Sequence, residues 1–245
     1  MPSAKAQSLT RQFQLQVLRI AELIARRLRV TAMRADVADI DGWWERISPQ
    51  VQREILTGQT ALARMARQYL VQHAALEGAT VEPVVVEPVA EQISTALLVT
   101  GPVAFKTHMR DSGSEVASVR TMASQLQGSA TRLVLAGARD TTMATVQQRP
   151  GIVGYRRIRG RPEPCPFCLM LISRGAVYSR ETADFHAHDR CSCMPEPLYR
   201  HEPEPPEVRA LYRQWREATA GTTGPGSIRA WRAHLAKQAA PDAAT

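Results

Sequence analysis

The sequence shows no export or membrane-insertion signal. Met1–Gln12 lacks an apolar core of signal-peptide length. No uninterrupted apolar run of about 18 residues occurs, because even Val17–Leu28 carries Arg19, Glu22, Arg26 and Arg27. Secretion by the usual signal and membrane spanning are therefore not expected. Aromatic residues are scarce, at 5%, and Gly and Pro are modest at 14 and 16, which argues against collagen-like, mucin-like and propeller architectures. Lysine is nearly missing: Lys5, Lys106 and Lys237 are the only three, so the net charge of +8 is carried almost wholly by arginine. A GC-rich genome accounts for such a bias, and guanidinium forks also suit phosphate geometry. Cysteine is absent outside Cys165–Cys193. A disulfide framework spreads its cysteines to staple distant segments, so four confined to one stretch read as a local metal site. What the chain does have is 44% hydrophobic residues over 245 positions, enough to bury a core in one to three domains.

Leu9, Phe13, Val17, Ile20, Ile24 and Leu28 recur at spacings of three and four and predict an amphipathic helix from Leu9 to about Val30. Ser48-Pro49 has the form of a cap followed by a first-turn proline, and the stripe Val51, Ile55, Leu62, Met65, Tyr69 and Leu70 continues to a stop near Gly78. Trp43-Trp44, just before it, reads as a hydrophobic anchor at a helix junction. Val81–Val89 carries Glu-Pro twice and is expected to be an extended linker or edge segment. Helices follow from Val89 to about Met109, bent at Gly101-Pro102, and from Ser114 to about Gln147, interrupted or softened at Gly128 and Gly137. Residues 1–148 thus read as a helical bundle or arm. Arg26, Arg27 and Arg29 form its densest basic cluster, either a solvated face or a contact for DNA or an acidic partner.

Composition shifts at Pro150-Gly151. Ile152–Ile158 mixes β-branched and aromatic residues with arginines in near alternation, which predicts a strand presenting Arg156 and Arg157 outward, further contacts for DNA or an acidic partner. A second short strand is expected at Ala176–Tyr178. Residues 149–200 make a small cysteine- and histidine-rich, β-containing unit. Residues 201–245 make a proline-rich spacer, already begun at Pro195, with short helices at Glu207–Ala218 and Ser227–Lys237 and a frayed end at Ala239–Thr245. The fold class is mainly α with a small α+β zinc-stapled subdomain.

Cys165-Pro166-Phe167-Cys168 is a Cys-x2-Cys knuckle, and His188-Asp189-Arg190-Cys191-Ser192-Cys193 supplies a second ligand group. Zinc takes thiolate and imidazole in a tetrahedral set of four, and two local ligand pairs joined by a loop provide it. Five residues compete for four places: both knuckle cysteines and Cys191 are favoured, with His188 or Cys193 as the fourth, and His186 is a surface or supporting residue. Reduced or disulfide-forming cysteines without metal are the bland alternative. A closed set leaves no open position for catalysis, so no catalytic residue is assigned. Pro164–Cys168 fits half of a nucleoside deaminase signature, yet no histidine is followed two residues later by glutamate. A His-Glu-x-x-His helix and a Gly-x-Ser-x-Gly elbow are also missing. A zinc-dependent nucleic-acid-acting enzyme, a nuclease using His186, His188 and Asp189 or a deaminase-like toxin, is the alternative function.

The runs Leu133–Asp140, Gly154–Arg157, Cys165–Cys168, Arg174–Tyr178 and His188–Cys193, in this order, resemble the Mu F-like minor capsid (head morphogenesis) proteins of tailed bacteriophages, those of actinobacterial phages in particular. Leu211–Arg216 and Trp231-Arg232 are similar to the tail of such proteins. The resemblance implies a metal-ligand or structural role for Cys165, Cys168, His188, Cys191 and Cys193 and no catalytic one. It implies a low-copy virion protein inside the capsid, assembled in the host cytoplasm, with portal, capsid or scaffold proteins as partners and a role in assembly or genome delivery. Packaged DNA is an additional, nonspecific partner, held through phosphates.

Overall fold

Ser3 opens the first helix by accepting the Ala6 amide on its hydroxyl at 3.2 Å, which satisfies one of the orphan donors of the first turn. In the computed structural model, which describes residues 2–161, 165–176, 178–179, 185–201 and 203–239, this helix is α1 (Ala4–Ala32). Its expected stripe faces inward, with Phe13, Val17 and Leu28 buried and Leu9, Ile20 and Ile24 packed against the core.

α2 (Ile40–Leu76) starts more than two turns before the expected Ser48-Pro49 boundary. Asp39 is the cap, accepting the Gly42 amide at 2.9 Å, and Pro49 lies inside the helix. An interior proline costs about 3 kcal/mol. Ile40, Trp43 and Trp44, all buried on the added turns, offset that cost by extending the apolar stripe into the core. The tryptophan pair is therefore core, and Trp44 packs against the backbone at Gly101.

Residues 79–89 form no regular element. They run along a later helix, where the Val84 and Val86 amides donate to Thr145 and Thr141 hydroxyls at 2.9 and 3.2 Å. α3 (Ala90–Leu98) and α4 (Ala104–Ser112) are joined by one π-helical turn, Val99–Val103, in which Gly101 leaves helical geometry next to Pro102, as the sequence predicts. α5 (Glu115–Gln148), capped by Ser114, packs against both α1 and α2. It is continuous through Gly128 and Gly137, which were expected to interrupt it. Both glycines serve close approach: a Cβ on Gly137 would stand 2.0 Å from the Gln59 carbonyl oxygen of α2.

β1 (Gly154–Ile158) pairs antiparallel with β2 (Tyr178–Ser179) on one side and β3 (Met194–Leu198) on the other, in the order β2-β1-β3. Val177 of the expected second strand, and residues 240–245 of the expected frayed end, lie outside the described residues. β3 corrects the reading of a spacer from Pro195. Pro195 and Pro197, two residues apart, present the same backbone edge, and an edge strand needs no donor there. The knuckle helix α6 (Pro166–Ser173) precedes β2, and α7 (Pro206–Ala218) and α8 (Pro225–Ala239) follow β3. The sheet packs on α5, with Tyr155 and Met194 in the same apolar cluster as the long helices. The chain is mainly α with a small sheet carrying a cysteine- and histidine-rich cluster, the fold class that the sequence predicts. Among the described residues no helix is long and apolar enough to cross a membrane.

Candidate metal centre

Cys165 occupies the N-cap of α6. Its sulfur accepts the Cys168 amide at 3.3 Å, and Pro166 fills the first helical position. Proline there has no amide to lose and a preset φ, so the Cys-Pro-x-Cys order turns both knuckle sulfurs to one side. The second ligand group arrives on the irregular run 185–193, which ends at β3. Arg190 carries a left-handed φ of 64° in that run. Its amide donates to the Gly128 carbonyl at 3.2 Å, so the small face of Gly128 seats the loop on α5.

All five sequence-predicted ligands come together. Cys165 Sγ stands 2.9 Å from His188 Nε2, Cys168 Sγ 3.5 Å from the same nitrogen, and Cys168 Sγ 3.6 Å from Cys191 Sγ. Cys165, Cys168 and His188 form one group whose donor atoms lie within 4.8 Å of one another, and Cys168, Cys191 and Cys193 form another. Cys168 belongs to both. A tetrahedral ion with metal–sulfur bonds of about 2.3 Å sets neighbouring sulfurs about 3.8 Å apart, and the 3.6 Å between Cys168 Sγ and Cys191 Sγ is close to that spacing. None of the four cysteines is in a disulfide. The cluster could hold a metal ion. His188 Nδ1 lies 2.6 Å from the Asp189 carbonyl oxygen. A carbonyl can only accept, so Nδ1 donates to it and Nε2 is the nitrogen turned to the thiols, the orientation of a metal-ligating histidine.

Burial grades the cluster from rim to core: His188 is exposed, Cys165 half-buried, and Cys168, Cys191 and Cys193 are buried. The proton is unevenly shared among the buried thiols. Hydrogen bonding with Cys168 and Cys193 holds the Cys191 thiol well below its ordinary value, with the Arg139 guanidinium adding to the effect. The same bonding to Cys191, with burial, pushes Cys168 up.

Two buried arginines underlie this loop. Arg139 of α5 donates from Nε to the Cys193 carbonyl at 3.0 Å and from Nη2 to the Cys191 and Cys193 carbonyls at 2.6 and 2.9 Å. Burial lowers its pKa, while Cys191 and Cys193 oppose the shift. Arg157 stacks on the Phe185 ring at 3.7 Å and donates to the His186 carbonyl at 2.9 Å. His186 thus supports the loop through its backbone. The Arg139 guanidinium, internal and beside the cluster, favours the thiolate at Cys191. Spacing gave no cue to Arg139, whose role depends on the register of a distant helix.

The expectation that Arg156 and Arg157 face outward is corrected, because both sides of β1 are covered. Arg156 is paired with the buried carboxylate of Glu196, and Arg157 is 4% exposed. Arg26, Arg27 and Arg29 remain exposed on α1. Arg29 reaches Gln127 of α5 at 3.2 Å, and Arg26 shares a cavity of about 280 Å³ with Arg161 and Arg190.

The family model described as VG15 protein matches residues 4–218, from the first turn of α1 to the end of α7. No curated protein and no solved structure matches the chain. The matched span takes in α1 to α7, the sheet and every member of the cysteine–histidine cluster, and with it most of the sequence, which makes this chain a member of the VG15 protein family of phage proteins.

Proposed function

We propose that this protein is a minor capsid, or head morphogenesis, protein of the Mu F-like kind, acting by contact at the portal vertex or inside the head, with a structural zinc ion in its cysteine–histidine cluster. The observation that carries the reading is the position of that cluster. Its donors are thiolates and an imidazole, the set zinc prefers, and its backbone is clamped to α5 by Arg139. Cys165, Cys168 and Cys191 would hold the ion, with His188 or Cys193 as the fourth ligand. A filled tetrahedral set supplies folding energy and offers no site to a substrate. Portal, capsid or scaffold proteins are the partners in this reading, and the exposed Arg26, Arg27 and Arg29 would meet acidic partner surfaces or packaged DNA, the latter through phosphates and without sequence preference.

Protein analysis of purified virions tests the placement: the chain is expected inside intact heads at low copy, and deletion of its gene is expected to leave defective particles. Elemental analysis of the purified protein is expected to give one zinc per chain. Incubation with DNA and a divalent metal tests the rival class. Cleavage that His188→Ala abolishes without loss of fold would replace this proposal with a nuclease.

A further inference from the structure

Beyond the capsid role, and at a site separate from the α1 arginines, we propose that the cleft between α6 and α7 binds single-stranded nucleic acid. The helical spacing of α7 puts Arg209, Tyr212, Arg213 and Arg216 at i, i+3, i+4 and i+7, on one face. That face lines an open cavity of about 650 Å³, and Arg174, at the C-terminus of α6, closes it from the opposite wall. None of these four guanidinium groups has an ion-pair partner among the described residues. Among the described lining residues the carboxylate is that of Glu204, and it accepts the Ala176 amide beside Gly175, whose missing side chain leaves room for it.

α7 has no buried residue, so its cationic face is not needed for the core. Its position is nevertheless fixed. Trp215 meets Trp231 edge to face at 5.7 Å, and Trp231 of α8 is fully buried, its indole donating to the Pro166 carbonyl at 3.0 Å. The helix pair is therefore pinned to the knuckle helix while its arginines stay in solvent.

Four exposed guanidinium groups around one cleft draw a polyanion. Tyr212, 44% exposed between them, decides which one. An aromatic face among phosphate-binding cations is the arrangement on which unpaired bases stack. A duplex keeps its base faces covered, and an acidic peptide has no use for the ring beyond its charge. The strand's phosphates would lie along Arg209, Arg213 and Arg216, with a base on Tyr212 and Arg174 on the far side.

The test uses the full chain with its metal and a fluorescently labelled oligothymidylate, read by anisotropy at low and moderate salt. Wild-type protein is expected to bind, with affinity falling steeply as salt rises. Arg213→Ala/Arg216→Ala is expected to weaken binding about tenfold or more and to flatten the salt dependence. Tyr212→Ala is expected to weaken it about fivefold or more with the salt slope unchanged, and Tyr212→Phe to restore it. All these side chains are exposed, and metal content with far-ultraviolet dichroism verifies each fold. An Arg26→Ala/Arg27→Ala/Arg29→Ala protein is expected to bind as wild type does. Absence of binding at low salt overturns the proposal, as does binding that Tyr212→Ala leaves intact or that only the α1 variant removes. A polyglutamate peptide that competes as well as the oligonucleotide would assign the cleft to an acidic protein surface and also overturn it.

Discussion

Arg139 and Cys193 are joined across 54 positions of sequence by a guanidinium-to-carbonyl hydrogen bond of 3.0 Å, buried on both sides. The same guanidinium holds the Cys191 carbonyl. One side chain of the central helix therefore fixes the backbone between two cluster cysteines, and the position of their sulfurs follows from it.

Removing that clamp strands two buried carbonyls. Arg139→Ala is expected to lower stability by about 3 kcal/mol, measured by urea unfolding of the metal-loaded protein. Arg139→Lys is expected to recover little, because an ammonium on a flexible stem cannot span both carbonyls as the planar fork does. A lysine variant as stable as wild type would show that the charge matters and the geometry does not.

Glu196 of β3 is a second internal anchor, 1% exposed. Burial by itself would push its carboxyl up, but His73, Arg156 and Thr10 together outweigh burial and hold it below the ordinary value. The bonded partners are Arg156 and the Thr10 hydroxyl, which donates at 2.8 Å. His73 Nε2, at 3.6 Å, stands outside hydrogen-bonding reach. A carboxyl depressed in the folded state lends stability above its unfolded value of about 4.3, and that stability is lost as pH falls through the lower folded value. Stability should therefore drop in acid, below about pH 4.3. Glu196→Gln is expected to cost about 2 kcal/mol at neutral pH and to flatten the acid limb of a denaturation series.

Local features were legible in the sequence and register-dependent ones were not. The knuckle Cys165–Cys168 and the ligand group His188–Cys193 could be read because their chemistry is set by spacing within a turn. The bend at Gly101-Pro102 is likewise written in two adjacent residues. β3 was hidden because Pro195, Glu196 and Pro197 have the composition of a spacer. Only its edge position makes room for the prolines, and only His73, Arg156 and Thr10, from α2, β1 and α1, make a buried glutamate tolerable. The start of α2 was misplaced for a related reason: the local signal at Ser48-Pro49 was outweighed by the tertiary burial of Trp43 and Trp44.

Metal removal should act on part of the structure. α6 and residues 185–193 depend on the cluster, whereas α1, α2 and α5 are held by the large apolar core, which Tyr155 and Met194 of the sheet also join. Chelation is expected to raise amide exchange in 165–176 and 185–193, with the three long helices protected as before. The thiols must be deprotonated to bind the ion, so affinity should weaken as pH falls and loading should release protons. Uniform loss of protection along the chain would mean that the cluster holds the whole fold.

The two glycines of α5 should respond unequally to the same substitution. At Gly137 a Cβ would meet the Gln59 backbone, at 2.0 Å from its oxygen and 2.8 Å from its carbonyl carbon. Backbone cannot swing aside, so Gly137→Ala must force α2 from α5. Overpacking of this kind costs about 1–3 kcal/mol, against which alanine returns about 1 kcal/mol of helix propensity. At Gly128 the nearest atoms are Arg190 Cγ at 3.1 Å and Asp189 Cβ at 3.3 Å, which need give by only a few tenths of an ångström. Gly128→Ala is therefore expected to cost less than Gly137→Ala, compared by thermal unfolding of the two variants in one buffer. Equal melting temperatures would mean that the long helices do not meet as closely at Gln59 as this packing requires.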